Sequence, residues 1–193
     1  MYVRDAKNRE EAWLLDQIEA MGLDEAAFRS RDYVIAIDES SGTKAGFGRI
    51  RAHKTDDGEV CELTSIGVLE AWRGQGVGGH VLERLVQHAS DDGFETVYSL
   101  SDRPEYLRQF GFERIGDSAL PDPLDDRLEE KRESIQPEAV PLELIVEKFA
   151  VPSEIREAFK AAEPDTEQSD PEVDPEDFGI DPEEATYKYD TGN

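Results

Sequence analysis

Residues 71–82 read AWRGQGVGGHVL, and four glycines fall within six positions, behind an arginine and ahead of an apolar helical pattern. Glycine at a helix start costs stability because it loses more conformational freedom on folding than other residues, so a compensating gain is expected. Backbone without side chains approaches a ligand closely, and the positive end of the following helix attracts anions. The stretch therefore predicts a loop that binds a phosphate-bearing ligand.

Three phosphate-binding motifs compete for this loop. A P-loop would end in Gly-Lys-Ser or Gly-Lys-Thr, but here Gly78 and Gly79 precede His80, which excludes that motif. Residues 74–79 satisfy the dinucleotide pattern GxGxxG, yet LEAWR separates them from the preceding strand, and Asp91 and Asp92 fall at a helix end rather than a strand end. The remaining pattern, Arg/Gln-x-x-Gly-x-Gly beginning at residue 73, fits without these defects.

The elements around the loop alternate between strands and helices. Strands are predicted at residues 1–4, 33–38, 44–54, 59–68, 96–101, 112–116 and 139–147. Two helices are predicted within residues 8–29, broken near Gly22, with Asp24 capping the second. An amphipathic helix follows the glycine loop and ends at Gly93, and further helices are predicted at 105–110, 124–133 and 153–162.

The loop and its surroundings resemble the GNAT acetyltransferase superfamily. The resemblance is carried by the strand and loop CELTSIGVLEAWRGQG (61–76) and by the segment YLRQFGFERI (106–115). It extends over the strand order of residues 1–150 and implies an α/β fold with a mixed, mostly antiparallel sheet flanked by helices. We therefore expect a GNAT domain at residues 1–162, followed at 163–193 by an acidic, flexible tail that has no counterpart in the family.

The resemblance implies acetyl-CoA as co-substrate, with direct transfer of the acetyl group to a primary amine in a ternary complex. The diphosphate would lie on the backbone of seven loop residues, and side chains at 76 and 78 would block its approach. These residues are Arg73, Gly74, Gln75, Gly76, Val77, Gly78 and Gly79. The pantetheine arm would pair with the strand segment Ile66, Gly67 and Val68, and an N–H near Val68 would polarise the thioester carbonyl.

The candidate catalytic residues lie on either side of the loop. Glu62 is our candidate general base, although an exposed strand carboxylate and an amine-binding anchor remain alternatives. The tyrosine that many GNAT enzymes use as an acid falls at Leu107 here, so Tyr106, about 100° away on a helix, is a weak candidate acid. Arg49 and Arg51 alternate on one strand face, where they hold an acceptor carboxylate or are simply solvated.

The acceptor is predicted from a narrower resemblance, to the N-acetylglutamate synthase-like branch. It covers residues 59–146 through Glu62-Leu63, PEYLRQFGFERI, ALPDPL and EKRESIQPEAVPLEL, and departs from the branch at Gln136, where a cysteine would stand. It implies a free amino acid such as glutamate as acceptor. A protein N-terminus or lysine remains the alternative acceptor, and a non-catalytic acyl-CoA-binding module the alternative function.

The charge balance limits the partners. The 193 residues carry 46 acidic and 21 basic side chains, for a formal net charge of −25, and only 7 of the basic residues are Lys. Nucleic acid and anionic lipid are polyanions, so neither is an expected partner. The composition is typical of halophilic archaea, whose salt screens self-repulsion; an acidic mesophilic protein with a charged tail is the alternative.

The remaining residues point to a cytoplasmic protein without a metal. Cys61 is the single cysteine, which excludes an internal disulfide, and its strand-like neighbours predict burial. No apolar run reaches the roughly 18 residues of a membrane span. The three histidines show no metal-ligand spacing and are expected at the surface; they are His53, His80 and His88. The oligomeric state stays open, a homodimer included.

Overall fold

A computed structural model describes residues 1–56 and 58–165. Within these residues the strands are β1 (Tyr2–Asp5), β2 (Tyr33–Ile37), β3 (Lys44–Thr55), β4 (Gly58–Val68), β5 (Thr96–Ser101), β6 (Glu113–Arg114) and β7 (Val140–Ile145). The α-helices are α1 (Glu11–Ala20), α2 (Val77–Asp91), α3 (Pro104–Arg108), α4 (Asp122–Ser134) and α5 (Ser153–Lys160). Most of the predicted acidic tail, residues 166–193, lies outside the described residues.

The strands form one sheet in the order β1-β2-β3-β4-β5-β7-β6. The pairs β1–β2, β2–β3, β3–β4, β5–β7 and β6–β7 are antiparallel, and β4–β5 is parallel, which confirms a mixed, mostly antiparallel sheet. The parallel pair joins only residues 61–63 to 97–99. Beyond that point β4 and β5 separate, because β5 continues beside β7 while β4 continues beside β3.

Helices cover both faces of the sheet. The predicted helix after the loop, α2, buries its apolar stripe, including Val81, Leu82 and Leu85, against the face that carries Leu63 and Val97. On the opposite face, one apolar cluster forms around Leu14 and Ile18 of α1, and another around Leu124 and Leu128 of α4. Between these two clusters the face carries charged side chains, described below.

The predicted second helix within residues 24–29 is wrong. The Asp24 carboxylate accepts a hydrogen bond from the Ala26 N–H at 2.9 Å, which forms a local turn instead of capping a helix. Ala27 adopts a left-handed φ of 50°, and the carbonyls of Ala26 and Ala27 accept hydrogen bonds from Arg49. A buried arginine therefore binds this segment as a loop, and tertiary contact overrides its helical pattern.

Candidate active site

A cleft of about 820 Å³ opens where β4 and β5 separate. Its walls are formed by residues 20–24 at the end of α1, by the ends of β4 and β5, and by the glycine loop with the start of α2. Residues of α3, three residues at the end of α4 (Lys131, Ile135 and Gln136) and Ile155 of α5 complete them. The volume lies in the range typical of pockets for cofactors and small ligands. The site therefore has two ends, a loop end and an end beside α4.

The loop end presents free main-chain donors. Among the described residues, the N–H groups of positions 74–79 donate no hydrogen bond, and the first bond of α2 runs from His80 N–H to the Gly76 carbonyl. Gly74 and Gly76 have left-handed φ angles of 73° and 77°, which explains why glycine stands at both positions. These donors lie at the N-terminal end of α2, where the helix dipole favours an anion.

The glycines at 76 and 78 have different neighbours. A Cβ atom at Gly78 would lie 2.5 Å from the Tyr106 hydroxyl and 3.4 Å from a Val68 methyl group, both of which belong to the cleft. A Cβ atom at Gly76 would lie 2.2 Å from the carbonyl oxygen of Ile155 in α5. Both glycines line the cleft, and packing of the chain on itself leaves little room for a Cβ atom at either position, because of Ile155 at 76 and Tyr106 at 78. The expected close approach of a ligand at these positions stays a prediction.

The strand edge next to the loop is open for pairing. A bulge in β4 shifts its register against β3 between Phe47 and Arg49, and Ser65 in this stretch has a φ of 52°. Leu69 N–H donates to the Ala45 carbonyl, so the alternation of an antiparallel ladder turns the Val68 backbone groups away from β3. Arg73 Nε lies 3.2 Å from the Val68 oxygen on that side, and Ile66, Gly67 and Val68 all line the cleft.

Glu62 is fully buried beneath the cleft and does not line it. Its carboxylate lies 2.8 Å from His53 Nε2, 3.3 Å from Lys131 Nζ and 3.8 Å from Arg127 Nε. Burial alone would raise the pKa of Glu62, but the His53 hydrogen bond and the charges of Lys131 and Arg127 outweigh it and lower the pKa to about 2. Of the predicted roles, the exposed strand carboxylate is wrong, and the roles of general base and amine-binding anchor stay predictions.

Two cations of α4 belong to this cluster and were missed in the sequence. Lys131 donates to Thr64 Oγ1 at 3.0 Å and to the Leu100 carbonyl at 3.2 Å, and it reaches the cleft. Arg127 pairs with Asp24, which also lines the cleft. Positions 124, 127, 128 and 131 follow the i, i+3, i+4, i+7 spacing of one helix face, and this spacing alone would have placed both cations on the buried side.

Arg49 and Arg51 share the strand face with Glu62, as their register opposite Thr64 and Glu62 shows. Arg49 is fully buried, and it donates to the carbonyls of Ala26 and Ala27. Arg51 is half-buried, and its Nη1 atom is inaccessible to solvent and has no hydrogen-bond partner among the described residues. Burial, followed by the charge of Arg127, lowers the pKa of Arg51. Arg49 is thus not a solvated strand arginine, and Arg51 retains an unused donor.

Tyr106 lines the cleft beside the loop, with its hydroxyl next to Gly78. Its ring packs edge-on against Phe110 at a centroid distance of 5.3 Å, and burial raises the pKa of its hydroxyl. Leu107, at the position of the tyrosine in other GNAT enzymes, is buried. Tyr106 therefore lies in the cleft as a protonated phenol, and its acid role stays a prediction.

The prediction of surface histidines is wrong for His53. This residue is buried, because β3 directs its side chain to the same face as Arg49 and Arg51, where it meets Glu62. His88 is partly exposed and lies 3.1 Å from Asp5, and His80 packs on Phe159.

Cys61 is buried as expected, and burial raises its pKa to about 12. In the described ranges no three or more His, Cys, Asp or Glu residues cluster as metal ligands, and no helix could span a membrane.

Sequence comparison identifies the family. A model of the acetyltransferase (GNAT) family matches residues 3–112, more than half of the chain, including β4, the glycine loop and α2. The chain belongs to the GNAT family. Acetyl-CoA is the co-substrate of this family, and the free amides of the loop and the open edge of β4 fit the diphosphate and the pantetheine arm of that molecule. No curated protein matches the sequence.

Solved structures share the fold of this GNAT chain. N-acetylglutamate synthase from Neisseria gonorrhoeae, complexed with coenzyme A and N-acetyl-glutamate, aligns with a TM-score of 0.63 and 16% identity over 75% of this chain and 34% of its own. A Mycobacterium tuberculosis protein in complex with CoA and NLQ aligns with a TM-score of 0.61 and 16% identity, over 75% of this chain and 99% of its own. Arabidopsis thaliana Naa50 in complex with the bisubstrate analogue CoA-Ac-MVNAL aligns with a TM-score of 0.52 and 14% identity, over 73% of this chain and 95% of its own.

At these identities the alignments establish the fold alone. The GNAT chain described here spans about a third of the length of the gonococcal enzyme. The neighbours include proteins crystallised with an acetylated amino acid and with a peptide-based analogue. The nature of the acceptor must therefore be argued from the residues of this chain.

Proposed function

We propose that this protein is an acetyl-CoA-dependent N-acetyltransferase whose acceptor is a free amino acid such as glutamate. The main-chain amides of residues 74–79 bind the diphosphate at the start of α2, and the edge of β4 at Ile66, Gly67 and Val68 pairs with the pantetheine arm. The free state of those amides within the described residues supports this assignment. Arg73, which is exposed beside the loop, adds a positive charge.

The transfer follows from the geometry of the β4 edge. The thioester of acetyl-CoA is the electrophile, and the Val68 N–H polarises its carbonyl and stabilises the oxyanion. The ammonium group of the acceptor first loses a proton to solvent, and the neutral amine nitrogen then attacks the carbonyl carbon. The tetrahedral intermediate loses a second nitrogen proton to solvent, the carbon–sulfur bond breaks as the carbonyl reforms, and the thiolate leaves and is protonated. A thiol pKa near 8.5 lets the thiolate leave unaided, and Tyr106 is the candidate proton donor within the cleft. Positioning of amine and thioester contributes roughly 7–11 kcal/mol to lowering the barrier.

A local excess of positive charge is the observation that supports an acceptor with a carboxylate group. Next to the end of the cleft, four cations face two buried carboxylates, Glu62 and Asp24, and one exposed carboxylate, Glu130, which pairs with Arg127. The cations are Arg49, Arg51, Arg127 and Lys131. A chain with a net charge of −25 concentrates cations here, and the buried Arg51 Nη1 still lacks a partner. Such a site stabilises an anionic ligand, so a carboxylate of the acceptor is its natural counter-ion.

Glu62 acts in this proposal as an anchor that holds Lys131 and His53 in place. A carboxylate with a pKa of about 2 is a weak base toward an ammonium ion, since proton transfer works best between groups of matched pKa. The Glu62→Gln variant separates the two roles. Loss of a general base lowers kcat about 10²- to 10⁴-fold and shifts its pH profile. Loss of an anchor raises the acceptor KM and leaves the shape of the pH profile unchanged.

The acceptor class is tested by following thiol release from acetyl-CoA with a panel of amines. The panel contains glutamate, its two carboxylate esters, glutamine, peptides with a free N-terminus, and lysine peptides. Assays are run in molar KCl as well as low salt, because self-repulsion of a chain with a charge of −25 is screened there. Turnover with free amino acids supports the proposal. Turnover with peptides alone identifies a peptide acetyltransferase, and CoA binding without turnover identifies a non-catalytic module.

The cationic cluster is tested with Arg51→Gln. A unit charge about 10 Å from the acceptor carboxylate contributes about 1.7 kcal/mol at an effective dielectric constant near 20, so the acceptor KM rises roughly 10- to 20-fold. The KM for acetyl-CoA stays unchanged. Arg114→Gln on the exposed strand β6 is the matched control, with the same loss of charge far from the cluster. Equal KM values for Arg51→Gln, Arg114→Gln and the parent protein would refute a carboxylate-binding role of this cluster.

A further inference from the structure

The glycine loop is covered by a later part of the chain, of which Ile155 also lines the cleft. We call residues 153–165, which comprise α5 and the five residues after it, the C-terminal strap. A Cβ atom on Gly76 would lie 2.2 Å from the Ile155 carbonyl oxygen, and one on Gly79 would lie 2.6 Å from the Ile155 side chain. The strap and the loop therefore touch at two positions where a larger residue would force them apart.

A ring stack joins the strap to the first turn of α2. The rings of His80 and Phe159 lie nearly parallel, at 17°, with their centroids 3.7 Å apart. Glu83, one turn further along α2, lies 2.9 Å from His80 Nδ1 and 2.7 Å from Arg156 Nη2. Phe159 is buried while Glu157 is exposed, so one face of α5 makes the contact.

A set of hydrogen bonds joins the end of the strap to the loop. The Gln75 side chain accepts from the Glu163 N–H at 2.9 Å and donates to the Ala71 carbonyl at 3.2 Å. The same Ala71 carbonyl accepts from the Asp165 N–H at 2.9 Å. These bonds use the side chain of Gln75 and the carbonyl before the loop, so they occupy none of the main-chain amides of residues 74–79, of which Gly74, Gly76, Val77 and Gly78 line the cleft.

A glycine-rich loop has many accessible conformations, and fixing it in one of them costs conformational entropy that a ligand would otherwise have to offset. We propose that the C-terminal strap is a positioning element for coenzyme A. It holds the loop in the conformation that presents its amides, and strap docking and cofactor binding strengthen each other. The strap has this role only if the loop binds the diphosphate, as proposed above.

The coupling is reciprocal, as binding equilibria require. Weaker docking of the strap lowers the affinity for CoA, and bound CoA in turn protects the strap amides from hydrogen exchange. The strap contacts the loop and the first turns of α2, whereas the charged cluster lies at the other end of the cleft. The turnover number at saturating acetyl-CoA therefore stays unchanged when the strap is weakened.

The decisive variant is Phe159→Ala, with Glu157→Ala on the exposed face of α5 as control. Calorimetric titration in molar KCl should show a Kd for CoA that rises roughly 5- to 50-fold in Phe159→Ala, within the usual range of coupling between sites. Glu157→Ala should match the parent. The affinity for S-acetylpantetheine, which lacks the diphosphate, should stay unchanged. An unchanged Kd for CoA, or an equal loss for both ligands, would overturn the role of the strap.

Hydrogen exchange of the unaltered protein gives a second test that needs no variant. CoA should slow the exchange of α5 amides, and S-acetylpantetheine should not; equal protection by both, or protection by neither, contradicts the proposal. The Gly78→Val variant distinguishes a failure of the strap proposal from a failure of the proposed diphosphate site. If Gly78→Val leaves CoA affinity intact, the loop is not the diphosphate site. If it weakens CoA while Phe159→Ala does not, only the role of the strap is lost.

Discussion

The two ends of the cleft differ in what they offer a ligand. The loop end offers main-chain N–H groups from residues 74–79, a stretch without any charged side chain. Beside the other end lies a cluster of side chains from three elements, Arg51 of β3, Glu62 of β4, and Arg127 and Lys131 of α4, of which Lys131 lines the cleft. Ligand binding at the loop end therefore depends on the absence of side chains, whereas the other end depends on a balance of charge among side chains.

Because of this difference, substitutions at the two ends should affect ligand binding and protein stability differently. Amides at a helix start carry their partial charge whether or not a ligand is present, so blocking them affects the ligand more than the fold. Charges in a buried cluster compensate one another, and removing one leaves another buried without its partner. Substitutions at the loop end should therefore change cofactor affinity, and substitutions in the cluster should also change the free energy of unfolding.

The largest effect on ligand binding is expected for Gly78→Val. The added side chain meets the Tyr106 hydroxyl and Val68 and covers the amides from the cleft side. We expect the Kd of CoA to rise roughly 100-fold, equivalent to about 2.7 kcal/mol. Gly116→Val, at an open position far from the cleft, is the control. An unchanged Kd of CoA in Gly78→Val would contradict ligand binding through main-chain amides at the loop end.

A smaller effect on binding, but a clear effect on stability, is expected for Glu62→Gln. The change leaves Lys131 and Arg127 without their buried counter-charge, at a cost of about 3–5 kcal/mol at pH 7. The folded pKa of Glu62 is about 2, below the unfolded value, so this stability is present above about pH 4.5 and is lost as the pH falls toward 2. The slope is at most about 1.4 kcal/mol per pH unit for one carboxyl group.

Denaturant titrations at pH 7 and pH 3 measure this effect. The difference between the parent protein and Glu62→Gln should shrink at pH 3, and the exposed Glu59→Gln on the same strand should match the parent at both pH values. Equal stability of parent and Glu62→Gln at pH 7 would show that the cluster is not balanced through Glu62.

The smallest effect is expected for Tyr106→Phe. The ring and its edge-on contact with Phe110 remain, and only the hydroxyl beside Gly78 is lost. We expect kcat to fall no more than about tenfold, since a thiolate of pKa near 8.5 leaves without an acid. A loss of kcat above about 100-fold, with an altered alkaline limb of the pH profile, would instead make Tyr106 the general acid.

The contrast also explains which features could be predicted from the sequence. Recognition by backbone requires glycine at fixed spacing, so Arg73-x-x-Gly76-x-Gly78 revealed the loop, and the resemblance of the loop and its surroundings to the GNAT superfamily implied the mixed sheet. The cluster joins Glu62 to Arg127 over 65 positions of the chain, and no local pattern records that contact. His53 looked like a surface residue because its partner is distant in the sequence, although its strand face was already set by Arg49 and Arg51.

Two further features depend on contacts between residues that are distant in the sequence. Residues 24–29 favour a helix locally, but Arg49 binds their carbonyls as a loop. Gly76 fits the ligand motif, yet its nearest neighbour is Ile155, which arrives from the far end of the described chain. The spacing within α4 was the one overlooked local signal, because Arg127 and Lys131 share the face of Leu124 and Leu128.

The most direct measurement is an NMR titration of the ¹⁵N-labelled protein with CoA in molar KCl. Glycine amide signals are well separated from most others, so Gly74, Gly76, Gly78 and Gly79 can be followed individually. We predict large shifts of these four signals on addition of CoA, small shifts at Gly42 and Gly116, and none of comparable size with S-acetylpantetheine. Saturable binding of CoA that leaves the four loop signals in place would contradict recognition of the diphosphate by these amides.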